Sequence, residues 1–306
     1  MRNGRLLVYV GEAIADSAME YLTAYADVTD DFSNLKDVDA MIIRKHPVTR
    51  EDMLRAPSLR IISRHGIGCD MLDLEAAAEL GIKVTTLPGA NAESVAELAA
   101  AMMLALSRKL AFTNSGVRQG RFATFQPAEC YGFEAYGKTL ALVGTGHIAM
   151  CLTRIMKYGY GMRVIGYSRH LTPEKASAMG IECASSLEQM LREADYINIS
   201  VPLTPETYHM IGAEQLALLK PTAILVNTAR GGIVDETALY EALIQGHLFG
   251  AACDVFEEGE PPRKENPLLT IDNFIATPHC GPSTRENGER SGRLCVDNIL
   301  KGFGMI

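Results

Sequence analysis

An α/β fold in two domains is what this sequence predicts, and three observations carry the prediction. Short β-branched or aliphatic runs alternate with amphipathic segments almost throughout, as expected when crossover helices join parallel strands. The alternation comes in two series separated by one long apolar helix candidate. The 306 residues, 47% hydrophobic and 22% charged, suffice for two compact cores and are too apolar for disorder.

In the first series the strand candidates are "RLLVYV", "AMII", "LRIIS" and "IKVTT". Helical stretches fall between them, among them Ala13 to Tyr25 and Leu72 to Leu80, the latter followed by Gly81 as a C-cap. The helix candidate from about Asn91 to Leu110 bridges the two series; Glu97 near its start and basic residues near its end make it a buried helix rather than a membrane span. The second series runs "KTLALVG", "MRVIGY", "DYINISVP", "TAILVNTA", "LFGAACDV" and "NFIATPH". Six strands is the number a full dinucleotide-binding sheet uses. One amphipathic helix, Thr284 to Leu300, follows. With no Ser/Gly-rich linker or repeat, the two domains are expected to pack closely around a cleft.

Composition narrows the function. A formal net charge of −8 argues against general affinity for nucleic acid or anionic lipid, both of which rest on dense positive charge. The seven cysteines, Cys69, Cys130, Cys151, Cys183, Cys253, Cys280 and Cys295, are scattered and never form a C-x-x-C pair, so neither a zinc site nor a disulfide framework is expected and a reducing cytoplasm is. The N-terminal "MRNGRLLVYVGEAIAD" has too short an apolar run for a secretory leader.

"TLALVGTGHIAMCLTRIM" sets Gly144, Gly146 and Ala149 in G-x-G-x-x-A spacing between an apolar strand and a helix. Gly144 suits the tight turn, Gly146 lets the backbone approach a pyrophosphate, and Ala149 lets helix and strand pack closely, while the helix N-terminus offers N–H groups and a positive dipole. The bland alternative is a packing turn with no ligand. The residue that would bind the ribose hydroxyls of NAD as a carboxylate lies about 20 positions on; here, in "RVIGYSRH", 22 residues after Gly146, it is Ser168, followed by Arg169. Removing the carboxylate removes repulsion of a 2′-phosphate, and a guanidinium can grip that phosphate with two charge-assisted hydrogen bonds. The reading favours NADP, with NAD retained, against the alternative that Arg169 is a solvated surface charge.

Beyond the ends of later strands, where open α/β sheets place ligands, stand Arg230 in "VNTARGGIVDE", a carboxylate in "CDVFEEGEPP" and His279 in "IATPHCGPST". Reduction of a 2-keto acid needs a donor that grips the carboxylate and polarises the carbonyl, and an acid that protonates the alkoxide. Arginine and histidine suit those tasks, and a carboxylate beside the histidine would hold its tautomer and favour its protonated form. Singly, each has a structural alternative: a salt-bridged loop arginine, a solvated acid, a capped core histidine.

Together these residues resemble one family, the D-isomer-specific 2-hydroxyacid dehydrogenases, which include phosphoglycerate dehydrogenases, glyoxylate and hydroxypyruvate reductases and D-lactate dehydrogenases. The resemblance runs from about residue 40 to residue 300, through "APSLRIISRHGIGCDMLDLEAAAELGIKVTTLPGANAESVAELAAAMMLALSRKL", "GKTLALVGTGHIA", "VPLTPET", "LVNTARGGIVDETALYEAL" and "TPHCGPST" in order. It implies two Rossmann-like domains: a doubly wound NAD(P)-binding domain at 101–278 and a flavodoxin-like substrate domain at 1–100 and 279–306. It implies Arg230 on the substrate carboxylate and carbonyl, His279 as acid/base, and a glutamate paired with it. Thr228, Ala229 and Asp254 would approach the nicotinamide, Val201 and Pro202 the adenine, and the main chain of His147 and Ile148 the pyrophosphate. Gly66 and Ile67 would receive the substrate carboxylate, and a homodimer through the cofactor-domain helices is implied.

Departures from the family pattern matter as well. Its glutamate usually lies five residues after the aspartate of "DVF", just before a proline. Here that position is Gly259, and Glu260 precedes Pro261. A one-residue insertion makes Glu260 the choice and Glu258 the fallback. Ser168 replaces the usual aspartate, and the tail "DNILKGFGMI" is short, with no regulatory domain expected after it. Arg44, in "IIRKHPVT", and Arg64, in "ISRHGIG", would bind a phosphate or second carboxylate if they point into the cleft; if outward, the pocket suits glyoxylate or hydroxypyruvate. A function of another class, a cofactor-sensing corepressor on the same fold, stays open because fold does not fix function.

Overall fold

The computed structural model describes residues 5–306, so the first four residues of the N-terminal run lie outside it. The chain divides into two compact units, one ending at Asn91 and resuming at Pro282–Ile306, the other Ala92–Gly281. Compared with divisions at residues 100 and 278, this gives the whole of helix Ala92–Ser107 and also His279 to the second unit. The reason is packing: Ala96, Ala99, Met103 and Leu106 on that helix share one core with Leu140, Leu142 and Val226 of the second unit.

The first unit holds strands β1 (Leu6–Val10), β2 (Ala26–Thr29), β3 (Ala40–Ile43), β4 (Ile61–Arg64) and β5 (Lys83–Thr85). They pair in parallel in the order β2-β1-β3-β4-β5, the flavodoxin-like order. Both faces are covered, and the strand period of two assigns side chains to them. Leu6, Val8, Val10, Ala40 and Ile42 pack on one side with Cys295, Val296 and Ile299 of helix Arg285–Gly302. Tyr9, Met41, Ile43 and Ile62 face the other side with Met53, Ala76 and Ala77. β2 was not among the sequence candidates: "ADVT" is four residues with a single large aliphatic side chain, too polar to stand out from the end of the preceding helix.

The second unit contains β6 (Thr139–Val143), β7 (Arg163–Tyr167), β8 (Glu182–Cys183), β9 (Tyr196–Ile199), β10 (Ile224–Asn227), β11 (Gly250–Cys253) and β12 (Phe274–Ala276). Their order is β12-β11-β10-β9-β6-β7-β8, parallel throughout. Counted from β6 this is the doubly wound order 3-2-1-4-5-6 with one added edge strand, and the chain changes direction of winding between β6 and β9, where such sheets bind ligands. The sequence supplied six of the seven strands. β8, two residues long and exposed at Glu182, carries no apolar run to announce it. Full burial of Leu140, Leu142, Ile197 and Leu225 contributes about 1.5–3 kcal/mol per side chain before entropy is counted.

Candidate active site

At the end of β6 the chain turns so tightly that only glycine fits. Gly144 has φ +96°, its N–H donates to Tyr167 O at 2.8 Å, and a Cβ there would lie 2.5 Å from Ser200 O. Gly146 begins helix His147–Thr153, whose first turn has no side-chain cap. A Cβ at Gly146 would meet no atom within 4 Å, so the approach to that turn is open. Ala149 is fully buried against the sheet.

Across the winding reversal, the tips of β7 and β9 meet the same turn. Thr145 Oγ1 and Ser168 Oγ are 3.0 Å apart. Arg169 is 67% exposed, and its Nη2 lies 3.9 Å from Glu206 Oε2 in the segment after β9. The Glu206 carboxyl is held below its ordinary range, first by a hydrogen bond from Thr204 and last by Arg169. Val201 packs half-buried on the core, while Pro202 is exposed and its carbonyl accepts from Thr207 Oγ1 at 2.7 Å.

The loop after β10 is fixed by Asn227, a residue that no sequence pattern marks. Asn227 is buried; its Oδ1 accepts from Ala229 N at 3.0 Å and its Nδ2 donates to Arg230 O at 2.9 Å. Arg230 Nη1 donates to Ala229 O at 2.7 Å. Thr228 is buried with its hydroxyl unpartnered among the described residues. An open cradle at Gly146, an uncapped helix start and an orphaned hydroxyl fit a dinucleotide, whose phosphates and polar ring substituent would complete them.

Asp254, 1% exposed, organises the turn that carries His279. Its Oδ1 accepts from Thr277 Oγ1 at 2.5 Å and Cys280 N at 2.8 Å, its Oδ2 accepts from Gly281 N at 2.8 Å, and its carbonyl accepts from His279 N at 2.8 Å. Burying that carboxylate is tolerable because three donors replace its water. His279 itself has φ +56°, and its Nδ1 is in close contact with Glu260 Oε2. Nδ1 being engaged leaves Nε2 as the ring nitrogen available to a substrate. Glu258, by contrast, is 67% exposed and pairs with Arg263 at 3.4 Å. Gly259, between Glu258 and Glu260, takes φ +128°, a backbone region that glycine alone adopts readily. The Cys280 thiol is pushed up, by burial first and then by Asp254, which keeps it protonated and unsuited to nucleophilic work.

Residues 100–281 match the family model described as D-isomer specific 2-hydroxyacid dehydrogenase, NAD binding domain. The chain belongs to this family. D-2-hydroxyacid dehydrogenases are nicotinamide-dependent oxidoreductases acting on small 2-hydroxy and 2-keto acids, and that is the class of this chain. It is 44% identical over 268 residues to the D-3-phosphoglycerate dehydrogenase of Methanocaldococcus jannaschii, covering 87% of this chain and 50% of that protein. It is 38% identical over 268 residues to the glyoxylate reductase of Korarchaeum cryptofilum, covering 87% of this chain and 80% of that protein. This dehydrogenase therefore spans half the length of the first relative and most of the second. Among solved structures it is similar to an NADPH-dependent glyoxylate/hydroxypyruvate reductase from Sinorhizobium meliloti in complex with NADP and malonate, with a TM-score of 0.84 and 28% identity over 98% of this chain and 94% of that one.

In the first unit of the dehydrogenase, the remaining sequence candidates lie at the ends of two paired strands, β3 and β4. The three backbone N–H groups of Arg44, Lys45 and His46 converge on the carboxylate of Glu12 at 2.5–2.8 Å, a loop clamp the sequence did not reveal because its partners are more than thirty residues apart. Arg64 Nη1 donates to His65 O at 2.8 Å. Gly66 O accepts from Leu87 N at 2.9 Å, and Ile67 is exposed. His65 is kept below the usual imidazole range, by burial first and then by Arg44. Among the described residues no cluster of His, Cys, Asp and Glu could hold a metal ion, and no helix is long and apolar enough to cross a membrane.

Proposed function

We propose that this dehydrogenase moves hydride between NADPH and a small D-2-hydroxy acid or 2-keto acid, and that the observation carrying the assignment of roles is the Glu260 contact on His279 Nδ1. In reduction, Arg230 grips the substrate carboxylate and polarises its carbonyl, His279 Nε2 gives a proton to the developing alkoxide, and Glu260 holds the imidazole by Nδ1 so that Nε2 is the nitrogen turned to the substrate. A bound nicotinamide supplies the hydride. The main chain of His147 and Ile148 holds the pyrophosphate, Val201 and Pro202 border the adenine, and Thr228, Ala229 and the turn held by Asp254 border the nicotinamide. Gly66 and Ile67 receive the substrate carboxylate through their main chain.

Ser168 and Arg169 support the choice of NADPH: the hydroxyl repels no phosphate, and the exposed guanidinium has one distant carboxylate neighbour. Arg169→Ala should lower the NADPH-to-NADH ratio of kcat/KM about 10- to 100-fold, the factor worth about 1.5–3 kcal/mol of charged hydrogen bonding. An unchanged ratio removes Arg169 from the cofactor site. For the substrate, we propose glyoxylate or hydroxypyruvate, or the phosphorylated analogue if Arg44 and Arg64 reach it. A panel of glyoxylate, hydroxypyruvate, pyruvate and phosphohydroxypyruvate with each cofactor decides. If Arg44→Ala and Arg64→Ala depress phosphohydroxypyruvate turnover alone, they bind its phosphate; inactivity across the whole panel overturns the enzyme reading.

We further propose a homodimer through the second unit. Leu110, Val117, Phe125, Tyr131 and Tyr136 are all exposed there, and exposed large apolar side chains of this kind support an interface. Size-exclusion across a concentration series tests it. Seven free cysteines support a cytoplasmic location.

A further inference from the structure

A second histidine–carboxylate pair lies outside the catalytic assignments. Tyr208 OH donates to Glu257 Oε1 at 2.6 Å, and His209 Nε2 lies 3.2 Å from Glu257 Oε2. The two rings stack, with centroids 4.0 Å apart and planes 15° from parallel. Their segment is fixed by backbone bonds to the strand-like piece that follows Arg230: His209 N to Gly232 O at 2.7 Å, Ile211 N to Ile233 O at 3.1 Å, and Asp235 N to Ile211 O at 3.0 Å. His209 Nδ1 lies 3.7 Å from Asp235 Oδ2. Glu257 is tied through its backbone as well, since its N–H donates to Glu236 Oε1 at 2.7 Å while Glu236 Oε2 accepts from Asn266 Nδ2 at 2.7 Å.

The position of this knot in the chain gives it a meaning. Val255 and Phe256 are buried, whereas the stretch from Glu257 to Pro261 is exposed. That stretch contains Gly259 at φ +128°, and glycine has the widest backbone freedom of any residue. An exposed loop with a glycine next to its functional carboxylate needs an anchor on the strand side if Glu260 is to stay in place. Glu257 supplies the anchor three residues before Glu260, and it is bound to the same segment that holds the far side of the Arg230 loop.

We propose that Glu257, held by Tyr208 and His209, is a positioning residue for the reaction: it fixes the loop so that Glu260 stays on His279 Nδ1. The proposal rests on the assignment of Glu260 and His279 made above. Positioning residues act on the rate by keeping groups within a fraction of an ångström of productive geometry.

The test is a double-mutant cycle in the full chain, using the keto acid and cofactor that the wild-type protein turns over fastest. Glu257→Ala should lower kcat at least about fivefold with KM changed less than about twofold, and Glu257→Gln, which keeps the acceptor for Tyr208, should recover most of the loss. In a Glu260→Gln background the same Glu257→Ala change should cost less than about twofold, because the group it positions is already gone. Wild-type kcat in Glu257→Ala, or an undiminished cost in the double variant, overturns the proposal. Wild-type kcat in Glu260→Gln counts instead against the role given to Glu260. If Glu257→Ala does not fold by circular dichroism, Tyr208→Phe should still reduce kcat, and an unchanged rate there also overturns it. A crystal structure of Glu257→Ala reads placement without turnover: Glu260 displaced from His279 supports the proposal, and Glu260 unmoved sinks it.

Discussion

His279 with Glu260 and His209 with Glu257 are near copies in chemistry. Each histidine has a positive φ, +56° and +49°, each side chain is about one-third exposed, and each meets a glutamate from the loop after β11. They differ in which nitrogens are used. His209 has a carboxylate near both ring nitrogens and an aromatic ring stacked on its face, so it serves as a strut. His279 has one carboxylate, on Nδ1, which leaves Nε2 for the substrate in the role proposed for it. A histidine near an acid is therefore an incomplete criterion for proton transfer; the second nitrogen decides.

Substitutions that exchange the properties of the two pairs would sharpen this contrast. The largest effect is expected for His279→Ala, about 10²- to 10⁴-fold in kcat, the range of general acid contributions; near-normal turnover in steady-state assays would break the comparison. Glu260→Gln should come next, lowering kcat by about tenfold or more because a neutral amide is a weaker acceptor for His279 Nδ1 than a carboxylate. Wild-type turnover in steady-state assays would remove Glu260 from the pair. His209→Asn should cost only about two- to tenfold, since it loosens a strut and removes no reacting group. A loss as large as that of His279→Ala would mean the two roles are reversed. Glu258→Gln, an exposed partner of Arg263, should leave both rate and melting temperature unchanged, as surface ion pairs contribute about 0–1 kcal/mol.

Much of the fold was legible because its signals are local. Short aliphatic runs marked β1 and β3, and the G-x-G turn marked the start of the second sheet. β2 and β8 were missed because four and two residues with few apolar side chains carry no period to read. The candidate site was legible in residue type and less so in partnership. Arg230, His279 and a carboxylate of "CDVFEEGEPP" stood out beside strand ends. Asn227, which fixes the Arg230 loop, and Glu12, which clamps the loop after β3, did not, since a lone polar residue has no pattern. Asp254, which the family resemblance places beside the nicotinamide, holds the His279 turn with its carboxylate.

The sequence by itself determined the alternating α/β order, the glycine turn, the missing carboxylate at Ser168 and the kinds of side chain that end each strand. These depend on sterics and hydrophobic periodicity within a few residues. Only the tertiary structure decided that Glu260 rather than Glu258 meets an imidazole nineteen positions away, and that Glu257 joins Tyr208 and His209 nearly fifty positions back. Three glutamates within four residues are alike in residue type, and only the resemblance to the family pattern ranks Glu260 above Glu258. The path of the loop separates them, and that path is set by packing and hydrogen bonds to segments distant in the chain.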